Sequence, residues 1–273
     1  GLNWYDYGAR MYDAVLGRFT TIDPMVEKYY KLGSYVYCAN NPVNLTDPTG
    51  MWITHKDSIG TYRYNNGQWE QYQTEGENAG QYIAYTPVKG SFLAGVLSGL
   101  NQLGKNVTGK EILDFFANDE NNATLRPGSK NEINLLSLAS GKITLKSDFT
   151  GSKIPTLDGL QMSPFWLDIG HELAHRQDVI QNGIEQAGKV WLTADGKTMY
   201  ETEKYATHME NLMRADAGLP LRTHYATQGN AGWEPSRILN PNSRVSTFYG
   251  TAYRTLPRLQ RPPVVMPKLR ILK

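Results

Sequence analysis

The chain has 273 residues, 40% of them hydrophobic, enough for one large domain or two small ones with a real core. Its formal net charge of +2 gives no argument for a nucleic-acid partner, and a single cysteine, Cys38, excludes an internal disulfide framework. FLAGVLSGL at 92–100 is too short and too rich in glycine to span a membrane, so no stable membrane insertion is expected.

Residues 1–51 differ from the rest. They are rich in Tyr, Gly, Asn and Asp-Pro, and short aromatic runs between turn residues predict β-strands and tight turns. Such a segment makes no stable sheet alone, so it is expected to pack on strands upstream. GLNWYDYGARMYD has neither the basic start nor the apolar middle of a signal peptide, and with no initial methionine the chain is expected to begin inside a longer protein. Taken alone, Asp23-Pro24 and Asp47-Pro48 are turn formers.

Residues 52–90 read as a β-rich linker. GTYRYNNGQWEQY carries a hairpin signal, Asn66-Gly67 between aromatic strands. Residues 91–118 turn helical: SFLAGVLSGLNQLG, then TGKEILDFFAND, where Thr108 and Glu111 form a capping-box pattern. Residues 119–160 are rich in Asn, Gly and Ser, with strand candidates NEINLLSL and GKITLKSDF.

LDIGHELAHRQD, residues 167–178, belongs to a predicted helix with Ser163 as N-cap and Pro164 at the first position. Trp166, Ile169, Leu173, Ile180 and Ile184 recur at helical spacing and form one apolar face. His171 and His175 lie four apart on another face, about 6 Å along the axis. Two imidazoles in that relation can hold one Zn²⁺, and Glu172 beside them is placed to move a proton between water and a leaving amine. The competing account is an exposed helix face with idle histidines.

A third ligand is expected from a second helix starting at Lys197, KTMYETEKYATHMENLMRADAGLP, with Thr198 as N-cap and Gly218 and Pro220 as its stop. Glu201, Glu203, His208 and Glu210 are the candidates. Glu201 falls at the capping-box position of Thr198. His208 lies off the stripe shared by Glu203, Thr207, Glu210 and Arg214. Glu203 and Glu210 are seven residues apart, about 10 Å along the axis, too far to share one metal. Glu210 has Arg214 one turn on as a partner, so Glu203 is the expected third ligand and Glu210 its outer support. Tyr225, His224, Arg214 and Arg222 could aid an oxyanion. Tyr225 is preferred because a phenol donates without competing for the metal. Asp168 and Asp178 could each orient a ligand imidazole. Beyond this domain, 91–253, the tail 254–273 holds six basic residues, four prolines and no acid, and reads as a solvated extension.

Two stretches carry a resemblance. YDYGARMYDAVLGRFTTIDP with SYVYCANNPVNLTDPTG resembles the C-terminal end of the RHS-repeat core, a family of β-cocoons that enclose a variable C-terminal toxin. That family closes on Pro-x4-Asp-Pro-x-Gly-Leu and is cut after it. This chain has Pro42, then Asp47-Pro48-Thr49-Gly50, with Met51 at the Leu place. The resemblance implies aspartyl self-cleavage between Met51 and Trp52 by Asp47 with Asp23. HELAH, then Glu203 with Ala206, Glu210-Asn211-x-x-Arg214, Gly218-Leu219-Pro220-Leu221-Arg222 and Tyr225, is similar to the NleD-like effector metallopeptidases. This second likeness covers about residues 165–226 and implies a helix-rich zincin with a small sheet, zinc as cofactor and a protein substrate in a target cell. Together they imply an α+β chain: the end of an RHS core, then a toxin peptidase that is secreted or delivered into a target cell and met there by an immunity protein. A nuclease-like toxin tip and a binding module with a degenerate HExxH are the alternatives.

Overall fold

The computed structural model describes residues 4–6, 11–13, 18–20, 52–117, 121–131, 139–194 and 197–254. The architecture is α+β, and the chain divides into two compact units, Gly1–Gly50 and Met51–Lys273. In the first, strands β1 (Trp4–Asp6), β2 (Met11–Asp13) and β3 (Arg18–Phe19) make an antiparallel sheet in that order. Asp23, Asp47 and the expected Met51–Trp52 junction fall on or against residues outside the described ones, as does most of the basic tail.

The second unit is built on a mixed six-stranded sheet. Its strands are β4 (Trp52–Lys56), β5 (Thr61–Asn65), β6 (Gln68–Tyr72), β7 (Tyr82–Tyr85), β8 (Asn122–Gly128) and β9 (Lys142–Lys146), in the order β7-β6-β5-β4-β8-β9. Strands β4 to β7 run antiparallel, while β8 lies parallel to both β4 and β9. Asn66 and Gly67 close the β5–β6 hairpin with φ of 46° and 90°, the left-handed pair that a type I′ turn requires. Residues 52–90, expected as a linker, therefore share one sheet with strands from beyond residue 90. GKITLKSDF supplies β9, whereas 132–138 of the other strand candidate lie outside the described residues.

Alternation decides which side of the sheet is buried. On β8 and β9, Ala123, Leu125, Ile143 and Leu145 are fully buried while their neighbours are not. They join one core with Tyr62, Trp69 and helices α1 (Phe92–Leu103) and α2 (Val107–Phe116). The Trp69 indole donates to the Leu93 carbonyl at 2.9 Å, pinning β6 to α1. The cap of α2 is Asn106, two residues before the expected Thr108: its side chain accepts from the Gly109 amide at 2.9 Å. Thr108 instead gives its amide and hydroxyl to Asp216, at 2.9 and 2.6 Å. A long-range acceptor has taken the hydroxyl that the capping box would have used.

Helix α3 runs Phe165–Asn182 and carries HELAH; Gly183, with φ 84°, separates it from the single turn α4 (Ile184–Ala187). Ile169 and Leu173 enter the core, but Ile184 falls beyond the break and is 40% exposed, so it is not part of the α3 face. Ser163 is not the cap. Pro164 holds that position, and the Ser163 hydroxyl accepts from Arg214 Nη2 at 2.8 Å. A hairpin of β10 (Lys153–Thr156) and β11 (Gly159–Met162) precedes the helix. Its approach is tight. A Cβ at Gly151 would stand 1.4 Å from the Ser163 carbonyl oxygen. The Ser152 amide and hydroxyl donate to Asp168 at 2.9 and 2.7 Å.

The expected second helix is shorter than its sequence suggests. Lys197–Tyr200 is strand β13, paired antiparallel with β12 (Val190–Ala194), and helix α5 covers Thr202–Ala217. Thr198 sits opposite Thr193 in this ladder and cannot cap a helix. Glu201, expected in the capping box, makes no capping bond and pairs with Lys204 at 2.6 Å. The C-terminus ends as expected: Gly218 is left-handed, φ 69°, and the Leu219 amide returns to the Arg214 carbonyl at 2.8 Å. Helices α3 and α5 pack against each other.

Candidate metal centre

Four-residue spacing on α3 turns His171 and His175 toward α5, whose first turn presents Glu203. The three side chains converge. The two Nε2 atoms are 3.2 Å apart, and Glu203 Oε2 lies 3.1 Å from His175 Nε2 and 3.5 Å from His171 Nε2. All three are candidate ligands to one ion. Bonds of about 2.0–2.1 Å at tetrahedral angles place donor atoms about 3.3–3.4 Å apart, so the triangle fits a four-coordinate divalent metal. Glu203 Oε2 is buried with no hydrogen-bond donor, the condition of a carboxylate oxygen reserved for a cation.

Each imidazole is held from behind. His171 Nδ1 donates to Glu210 Oε2 at 3.1 Å, fixing the tautomer that leaves Nε2 bare toward the cluster. Glu210 is itself clamped: Arg214 Nε donates to Oε1 at 2.8 Å and Arg222 Nη1 to Oε2 at 2.7 Å. Burial works against the Glu210 charge, but Arg222 and Arg214 hold its carboxyl well below the usual range. His175 Nδ1 meets the Thr202 hydroxyl at 3.0 Å. Asp178 accepts from Asn182 at 2.8 Å and makes no hydrogen bond to either imidazole. Asp168 stands elsewhere: besides Ser152 it takes the Asn131 amide at 2.7 Å, so it ties a loop to α3 and orients neither imidazole.

Glu172 is buried next to the first histidine, and its Oε2 has no partner. Burial, opposed by His175 and His171, pushes its carboxyl up to about 7. Tyr225 lies across the site. Its ring stacks on His171 at 18° and 6.4 Å. Burial, reinforced by the Glu203 charge, raises the Tyr225 phenol well above its ordinary pKa, so it stays a donor. Trp191 leans on the Tyr225 ring at 6.2 Å.

The remaining sequence candidates are occupied. Arg214 also gives hydrogen bonds to Ser163 and Pro220, and Arg222 to the His224 and Tyr225 carbonyls. Both guanidiniums serve as struts, so neither is the expected oxyanion donor. His208 Nδ1 pairs with the Tyr253 hydroxyl at 2.6 Å and its ring stacks on Tyr249. His224 bonds Thr223 at 2.9 Å. Sequence spacing brought His171, Glu172, His175, Glu203, Glu210 and Tyr225 into consideration, and the fold brings these together. Sequence reading missed Thr202 and the bridging role of Arg222. Thr202 had no signal, because the helix was expected to start three residues earlier, with its cap at Thr198 and not Glu201.

Comparison of the chain with family models, with curated proteins and with solved structures finds no match. Among the described residues, no helix is long and apolar enough to cross a membrane.

Proposed function

We propose that the second unit is a zinc endopeptidase and that the chain is a toxin module at the end of an RHS-type protein. The observation that carries the peptidase reading is the donor triangle of His171, His175 and Glu203 with an unpartnered carboxylate oxygen, Glu172 Oε2, beside it. Two imidazoles and one carboxylate are a ligand set that suits zinc in hydrolytic centres, and zinc when bound supplies Lewis acidity to water and to a carbonyl.

The chain's own groups divide the remaining work. Glu172 takes the proton from the attacking water and returns it to the departing amine. The Tyr225 phenol donates to the oxygen that becomes negative in the tetrahedral transition state. Glu210 and Thr202 keep both imidazoles aimed. Strand β9 lies at an outer edge of the sheet and packs beside α3, which suits pairing with an extended peptide. These features support the reading of a protein substrate. A degenerate, non-catalytic module would have no reason to bury an unpartnered Glu172.

The toxin context rests on the resemblance of residues 1–51. In this proposal Asp47 and Asp23 release the peptidase at Met51–Trp52, after which it acts in a target cell where an immunity protein is its antagonist.

Purified protein is expected to carry about one zinc per chain, and His171→Ala with His175→Ala to carry none. Glu172→Gln should keep the metal and lose proteolysis and toxicity by roughly 10²–10⁴-fold. Full toxicity of Glu172→Gln refutes the assigned base. Expressed behind its upstream core, the chain should split after Met51 and Asp47→Asn should not; an uncut wild type refutes self-release.

A further inference from the structure

The ring contact that begins at His171 does not stop at Tyr225. Trp191 leans on Tyr225, and Phe248 meets Trp191 edge-on, at 5.5 Å and 87°. Four rings thus run in contact from a candidate ligand to the surface, where Trp191 is half-buried and Phe248 39% exposed. The direction of Trp191 has a backbone cause. In the β12–β13 ladder Val190 pairs with Tyr200 and Leu192 with Met199, so Trp191 is left over as a one-residue bulge. A bulge breaks the alternation of a strand and re-aims a side chain, and bulges recur beside active sites. Lys204 of α5 completes the wall, with Nζ 5.3 Å from the centre of the Trp191 ring and 4.6 Å from that of Phe248. Glu201 answers its charge at 2.6 Å. Single apolar side chains on a surface are ordinary, but these adjoin one another and the candidate metal centre. Open apolar surface is unfavourable by about 25 cal/mol per Å², a cost that an apolar occupant would remove.

We infer that Trp191 and Phe248 form a substrate subsite that takes an aromatic or large aliphatic side chain close to the cleaved bond and disfavours a charged one. This rests on the endopeptidase reading of the same site and names the class of peptide it accepts. An extended peptide advances about 3.3 Å per residue, so a side chain within three residues of the cut reaches Trp191. Because Lys204 and Glu201 answer each other, the wall offers a neutral aromatic surface and selects by apolar contact.

Two measurements on the full chain test this. The first incubates the protein with peptides randomised at every position and sequences the products by mass spectrometry. One position within three residues of the cut should be enriched in Phe, Tyr, Leu or Met. Trp191→Ala should lower the ratio of kcat/KM for Phe over Ser at that position by about tenfold or more. Phe248→Ala, on a separate segment, should lower it by a smaller factor, and it decides the matter if Trp191→Ala fails to fold. A cut without such a position, or a preference that both variants keep, overturns the inference. The second labels the chain with 5-fluorotryptophan, assigns the Trp191 ¹⁹F resonance through Trp191→Phe, and titrates with glycine heptapeptides carrying one central Phe, Leu, Glu or Lys. The resonance should move with the Phe and Leu peptides and stay with the Glu and Lys ones. Equal movement with all four, or none with any, overturns the inference. Should the wild type cut no peptide, the endopeptidase proposal fails by itself, and the ¹⁹F comparison still decides the subsite.

Discussion

The two halves of the larger unit share one apolar core but differ in what else they bury. Around the six-stranded sheet the enclosed side chains are mostly apolar, Tyr62, Trp69, Leu125, Ile143 and Leu145 among them, with His55 a polar exception. Between α3 and α5 the apolar core continues through Leu173, Ala206 and Met213, and an ionic layer is added beside it, with His171, Glu172, His175, Asp178, Glu210 and Arg214 all buried. Apolar burial is non-directional and tolerates adjustment. A buried polar network works only when every member is satisfied, because the low dielectric magnifies both good and missing partners. The sheet half can therefore supply stability, and the helix half can hold a constellation that would be unfavourable by itself.

The largest test of this difference is Glu210→Ala. It strands Arg214 and Arg222 in the interior and frees His171 Nδ1. A loss of about 3–5 kcal/mol in urea unfolding is expected, together with weaker zinc binding. Leu125→Ala in the other half should cost about 2–5 kcal/mol through a cavity while leaving zinc affinity within twofold. If both variants damage metal binding equally, the two halves do not work separately.

Acid offers a third test. Burial lowers His208 to about 4 from 6.5. Between those values the unfolded chain binds the extra proton, so this histidine favours folding fully above pH 6.5, and its contribution is lost as pH falls toward 4. About 3 kcal/mol is at stake across that window. The stability gap between wild type and His208→Gln should be constant above pH 6.5 and shift by that amount toward pH 4; a pH-independent gap refutes the assignment. Smallest is Asn106→Ala at the junction of the halves, where the side chain caps α2 and also donates to the Met213 carbonyl at 2.9 Å. About 1–2 kcal/mol should be lost, read as a lower urea midpoint with unchanged slope.

What the sequence revealed was local. HELAH places two imidazoles on one helix face by periodicity alone, and Asn66-Gly67 fixes its turn by φ alone. The choice of Glu203 over Glu210 also came from helix geometry, and the cluster contains Glu203. The capping assignments for Ser163, Thr108 and Thr198 went another way. Ser163 serves Arg214, 51 residues on, Thr108 serves Asp216, 108 residues on, and Thr198 joins a ladder. A small hydroxyl binds whichever partner the tertiary fold brings nearest, and a linear pattern does not carry that information. The sheet shows the same limit: β4 runs parallel to β8 across about seventy residues, a pairing with no local mark.

Gly151 links the surface to this interior. Its backbone lies flush against the Ser163 carbonyl, one residue from the Asp168 anchor that Ser152 provides. Any side chain there must push the start of α3 outward, and with it the rows that aim His171 and His175. A screen for variants that lose metal binding should recover Gly151 beside the candidate ligands themselves, because one methyl group there meets the Ser163 carbonyl.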